Sequence, residues 1–144
     1  MRIHDPACHD GYILRRLADA LPDAHITFSD VDPHWVEACG GTLPASPASV
    51  QAGVPDASVD LLLLRALNRG VMTYAEALAS LNRSVDVLRP GGKAIVYGYS
   101  FPLLNSAHFR AAGLHPHSCT TRLSGSPHHT EGVVPFYVLT KTPA

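Results

Sequence analysis

A chain of 144 residues, 46% hydrophobic and 16% charged, has enough apolar material for one core between a sheet and its helices and lies far from the composition of disordered segments. Its formal charge of -1 gives no general positive field for a polyanion, which disfavours nucleic acid as a partner, and no apolar run reaches the length of a membrane span. Met1 to Asp5 lacks the apolar stretch of a signal peptide, so a cytoplasmic protein forming a single domain over residues 1–144 is expected.

In chain order, Arg2 to His4 predicts a short strand that stops at Asp5-Pro6, because proline disfavours the α conformation at the residue before it. Ile13, Leu14, Leu17 and Leu21 recur at helical spacing from Tyr12 onward, and Pro22 follows as a stop. His25 to Ser29 predicts a second strand, and Asp30-Val31-Asp32-Pro33 leads into a helix around Trp35 to Cys39 that Gly40-Gly41 closes. The Pro-, Ser- and Gly-rich stretch from Thr42 to Ser58 holds one weak strand signal near Ser49 to Gln51, with Asp56 as a turn former.

Val59 to Leu64 is almost continuously apolar, as in a parallel strand covered on both faces. Thr73 and Glu76 have capping-box spacing, and Tyr74, Leu78, Leu81, Val85 and Leu88 predict the buried face of the helix that follows, ended by the Pro90-Gly91-Gly92 turn. Lys93 to Tyr97 predicts a strand, Ser106 to Ala112 a helix ending at Gly113, and Val133 to Thr140 a last strand. The alternation predicts an α/β fold: a doubly wound, mostly parallel sheet with helices on both faces and an antiparallel C-terminal strand.

The segments "DPACHDGYILRRLADAL", "ITFSDVDP", "PDASVDLLLLRAL", "VLRPGGKAIVYGYS", "HFRAAGL" and "VVPFYVLTKTP", in this order, resemble the class I S-adenosylmethionine (SAM)-dependent methyltransferases over nearly the whole chain. The resemblance implies a Rossmann-like sheet, SAM as cofactor and methyl transfer to an acceptor. It also implies cofactor contacts from Asp5, Ala7, Cys8, His9, Gly11, Tyr12, Asp30, Val31, Leu64 and Arg65, with Asp5 beneath the methionine amino group and the Leu64-Arg65-Ala66 exit bordering the same end. Physical chemistry supports parts of this set. Small residues such as Ala7 and Gly11 let backbone approach a ligand, and Asp30, 19 positions after Gly11, has the spacing of a carboxylate that accepts from ribose hydroxyls or, alternatively, of a helix cap.

Histidine at position 9 stands where the family motif usually has glycine. Three readings follow: an imidazole that crowds and weakens the cofactor site, a general base beside the transferred methyl, or a ring turned to solvent. Tyr97 and Tyr99 are the other candidate proton acceptors, and Tyr12, Tyr97 and Tyr99 could offer ring faces to a sulfonium or simply pack. The family resemblance also implies residues ahead of the first motif, where only four precede Asp5 here; an open pocket, cover from a partner subunit in a homodimer, or a vestigial site are the expectations.

Cys8, Cys39 and Cys119 form an odd set without CxxC spacing, and the nine histidines show no ligand spacing, so reduced thiols, scattered imidazoles and no metal are expected. A small-molecule acceptor is expected ahead of RNA methylation or RNA binding: the resemblance favours RNA in that Asp-Pro-x-Cys motifs occur in nucleic-acid methyltransferases, whereas the neutral charge counts against it, as does Leu64-Arg65-Ala66-Leu67 where amino-methylating nucleic-acid enzymes would show an Asn/Asp-Pro-Pro-Tyr/Phe/Trp-like motif. The alternative is a methyltransferase-like domain that has lost methylation and serves as a binding or partner protein, or catalyses another reaction.

Overall fold

The computed structural model describes residues 1–40, 53–65, 70, 72–97, 103–123 and 132–144. The elements are β1 (Arg2–Asp5), α1 (Tyr12–Ala20), β2 (His25–Phe28), α2 (Pro33–Cys39), β3 (Val59–Arg65), α3 (Tyr74–Val87), β4 (Leu88–Tyr97), α4 (Ser106–Ala111), β5 (Leu114–Leu123) and β6 (Gly132–Lys141). The weak strand signal at Ser49 to Gln51 falls outside the described residues, as do Ala66, Leu67, Tyr99, His128 and His129.

The strands form one sheet in the order β2-β1-β3-β4-β6-β5, with β2, β1, β3 and β4 parallel and β6 antiparallel to β4. The order reverses at β1, which pairs with β2 on one side and β3 on the other; the C-terminal ends of these strands therefore border the crevice where sheets of this kind take ligands. The core gathers around Leu62, Leu64, Leu81, Val96, Phe109 and Leu139, contributed by β3, α3, β4, α4 and β6. Among the described residues, no helix is long and apolar enough to cross a membrane.

Three differences from the sequence reading have physical causes. β5, paired with β6 over its whole length, was not anticipated because Pro116 and the polar residues around it mask the strand pattern; at the sheet's edge, a proline disrupts no second ladder. The buried stripe of α3 is Ala77, Ser80, Leu81, Ser84 and Val87, whereas Tyr74 is exposed. Small side chains let this helix approach the sheet closely, and the Ser84 hydroxyl is satisfied by donating to the Ser80 carbonyl at 2.6 Å. Finally, α3 ends at Val87, ahead of Pro90-Gly91-Gly92, which instead bulges within β4 between the Val59↔Leu88 and Leu61↔Lys93 pairs. A Cβ on Gly92 would lie 2.9 Å from the Arg89 carbonyl oxygen and 3.0 Å from that of Val59, so the bulge closes only over glycine.

Other local signals act as anticipated. Thr73 and Glu76 form a reciprocal capping box, and Asp32 caps α2 by accepting from the His34 amide at 2.9 Å. Asp56 sits in its turn in an ion pair with Arg83. At the far end of the chain, the Lys141 ammonium donates to the Val85 and Leu88 carbonyls, placing a cation at the C-terminus of α3.

His4, 3% exposed on central β1, contributes a pH dependence. The Thr27 hydroxyl donates to the Ile3 carbonyl, so the His4 Nδ1–H donates to Thr27 Oγ1 at 2.8 Å and buried Nε2 is the unprotonated nitrogen. Burial lowers the His4 pKa from 6.5 to about 4, partly opposed by the Thr27 bond. Between these values the unfolded chain binds the extra proton, so this contribution is complete above pH 6.5 and is lost as pH falls toward 4, to a maximum of roughly 3 kcal/mol. Urea unfolding at pH 7.5 and pH 5 should show a stability loss in the wild type that His4→Asn reduces; equal losses in both proteins would remove His4 as the cause.

Candidate functional site

The turn after β1 is held by its own backbone and by β2. The Asp5 Oδ1 accepts from the Ala7 amide at 3.0 Å, the Cys8 amide donates to the Ser29 carbonyl at 2.9 Å, and the Gly11 amide donates to the Cys8 carbonyl at 3.0 Å. Asp10 then accepts from the Tyr12 amide at 3.0 Å and starts α1. His9 and Gly11 have φ of 50° and 74°, in the left-handed region. Histidine tolerates that conformation; Gly11 is also constrained sterically, since a Cβ there would lie 3.0 Å from Cys39 Sγ.

Asp30, just past β2, is joined to this turn. Its Oδ2 accepts from the His9 amide at 3.0 Å and its Oδ1 from the Asp32 amide at 2.9 Å, with the residue only 8% exposed. Each carboxylate oxygen retains a further acceptor direction, so two donors could still be received at the crevice. The two segments singled out in the sequence therefore meet at one edge of the sheet, and the backbone of residue 9 connects them.

Asp5 itself is fully buried, and its Oδ2 accepts from Arg65 Nη2 at 2.8 Å. The same nitrogen donates to the Cys8 carbonyl at 2.7 Å, so one guanidinium from the end of β3 fastens both β1 and its turn. Burial raises the Asp5 pKa, and Arg65 offsets only part of the rise. The guanidinium occupies the cationic place over Asp5 that the resemblance implied for an amino group. Among the described residues, buried Arg65 Nε has no hydrogen-bond partner.

The remaining sequence candidates separate into rim and interior. The His9 imidazole, 57% exposed, lies over Trp35 with ring centroids 3.9 Å apart and with Nδ1 3.7 Å from Asp10. Tyr12 and Val31 are exposed at 57% and 44%, and the Arg16 guanidinium lies over the Tyr12 ring. Ala7 is half-buried in the turn, Leu64 is packed in the core, and Tyr97 is half-buried opposite Arg65 in the β3–β4 register. Trp35 and Cys39 belong to the same constellation although the sequence did not mark them as site residues; the only tryptophan, shortly after Asp30, was the available signal. Among the described residues, no group of three or more His, Cys, Asp or Glu side chains could hold a metal ion. A cavity of about 300 Å³ between α1, β2 and α2 is lined by Leu14, Ala18, Ile26 and Phe28 and borders Gly11 and Cys39, but includes neither Asp5, Asp30 nor Arg65.

No protein-family model matches the chain. It is 26% identical over 140 residues to isonocardicin synthase of Nocardia uniformis subsp. tsuyamanensis, a match spanning 96% of this chain and 45% of that protein. It is 32% identical over 108 residues to ribosomal RNA large subunit methyltransferase G of Streptomyces coelicolor, covering 67% of this chain and 29% of that protein. The chain thus spans less than half the length of both relatives. A SAM-dependent methyltransferase structure from Methanosarcina mazei superposes with a TM-score of 0.77 at 12% identity, over 99% of this chain and 93% of that one. The chain thus has the fold of the SAM-dependent methyltransferases.

Proposed function

We propose that the chain binds SAM across the turn after β1 and transfers its methyl group to a small-molecule acceptor. The observation that carries this reading is the buried Asp30 carboxylate held against the His9 amide, which joins the acid proposed to receive the ribose to the tight turn after β1. SAM supplies a methyl group already activated on a sulfonium. Asp30 accepts from the ribose hydroxyls with its two unused acceptor directions. Arg65, fixed by Asp5 and with its Nε unpartnered among the described residues, receives a carboxylate at the opposite end of the ligand. This revises the role of Asp5 from direct ligand contact to positioning of Arg65.

The work left to the protein is alignment of the nucleophile with the methyl carbon. Tyr97, beside Arg65 in the sheet register, is the candidate for accepting the nucleophile's proton. His9 belongs to the rim with Trp35, so its imidazole is a second candidate only for an acceptor entering from that side. The net charge of -1 favours a small acceptor over a polyanion. The Asp5–Arg65 pair also favours a second reading, a domain that no longer methylates, because the acid the resemblance assigns to the ligand is already neutralised.

Titration calorimetry with SAM and with its demethylated product distinguishes the two. Asp30→Asn should weaken binding roughly 10- to 100-fold, the loss expected for charge-assisted hydrogen bonds, whereas His9→Gly should change it by less than about threefold because the ring lies on Trp35. An unaffected Asp30→Asn protein would place the ligand elsewhere, and absence of binding by the wild type would favour the second reading. Separately, Arg65→Met should reduce unfolding stability by about 3 kcal/mol by leaving a buried carboxylate uncompensated, and adding Asp5→Asn should restore most of it in urea denaturation.

A further inference from the structure

Cys8 and Cys39 come together in space although 31 positions separate them in the chain, and the functional reading above uses neither thiol. Their sulfur atoms are 3.6 Å apart, and both thiols converge on the His9 carbonyl, Cys39 at 3.0 Å and Cys8 at 3.6 Å. Neither is in a disulfide. Space for the second thiol is provided by the absence of a side chain at Gly11, whose Cβ would lie 3.0 Å from Cys39 Sγ. The contact joins the turn after β1 to the last residue of α2, the two segments that flank Asp30.

We propose that Cys8 and Cys39 are a redox modification site, a dithiol that a peroxide closes into an intramolecular disulfide beside the candidate ligand crevice. The two thiols have different roles. Cys8 is fully buried, and burial together with the neighbouring Cys39 thiol pushes its pKa up to about 12, so it remains protonated. Cys39 is half-buried and meets the oxidant first. Its thiolate attacks one peroxide oxygen, the O–O bond breaks, and the departing hydroxide takes a proton to become water, leaving a sulfenic acid on Cys39. The Cys8 sulfur then attacks the Cys39 sulfur; the S–O bond breaks, and the hydroxyl leaves with the Cys8 proton as a second water. The two thiols lose two electrons, and the peroxide gains them. The sulfurs start about 1.5 Å beyond bonding distance, a gap that side-chain rotation and a small shift of the α2 terminus can close. The bond would replace the Cys39–His9 contact with a covalent clamp and fix the separation of turn and helix on either side of Asp30.

The test is hydrogen peroxide treatment of the intact reduced protein, followed by alkylation in denaturant and peptide mapping without reductant. Titratable thiols should fall from three to one, with a cross-linked Cys8–Cys39 peptide that dithiothreitol releases and Cys119 still alkylated. Cys39→Ser should yield no internal cross-link. Three surviving thiols, a cross-link through Cys119, or Cys39 overoxidised with Cys8 still free would each overturn the proposal. None of these readouts depends on SAM binding, so this inference and the proposed function fail separately.

Discussion

A carboxylate with no solvent exposure, Asp5 at the end of β1, is the constraint around which the rest of the site is arranged. A buried charge without compensation is strongly unfavourable, and here the compensation comes from the Arg65 guanidinium at the end of β3 and the Ala7 amide in the turn. Asp5 lies where the strand order reverses, so the ion pair fastens adjacent strand ends at the opening of the crevice. Because Arg65 also donates to the Cys8 carbonyl, the shape of the turn and the pairing of the strands are not independent. Removing either charge leaves the other buried and loosens the backbone of the turn.

From that anchor, order spreads through backbone groups more than through side chains. The turn presents the His9 amide to Asp30, Asp30 accepts also from Asp32, and Asp32 caps α2. The helix carries Trp35 and Cys39 back to the turn, where one receives the His9 ring and the other donates to the His9 carbonyl. Residue 9 is therefore engaged through its amide, carbonyl and ring, and the chain accommodates a non-glycine residue in a left-handed conformation because its side chain has an aromatic surface to lie on.

Local regularities made most of the fold legible. The apolar run from Val59, the capping box at Thr73 and the helical spacing after Tyr12 each specify an element through interactions within a few residues, and each element is present. β5 was missed because edge strands tolerate the polar and proline-containing pattern that sequence reading assigns to loops. Asp5, Gly11 and Asp30 were singled out by the sequence, and the structure brings their segments together, but the wiring between them was not legible. That Arg65 would pair with Asp5 across 60 positions, that Cys39 would touch Cys8, and that His9 would lie on Trp35 depend on strand order and on the approach of α2, which no short-range pattern encodes.

The lysine at the end of β6 ties events widely separated in time. The carbonyls of Val85 and Leu88 that accept from Lys141 are made 56 and 53 residues before it. On a nascent chain emerging from the ribosome, α3 would therefore have its terminal carbonyls open to water while the C-terminal hairpin is still being synthesised. The parallel half can collapse early, but its last helix is sealed only when the final strand docks, which makes consolidation of this domain a late, long-range step.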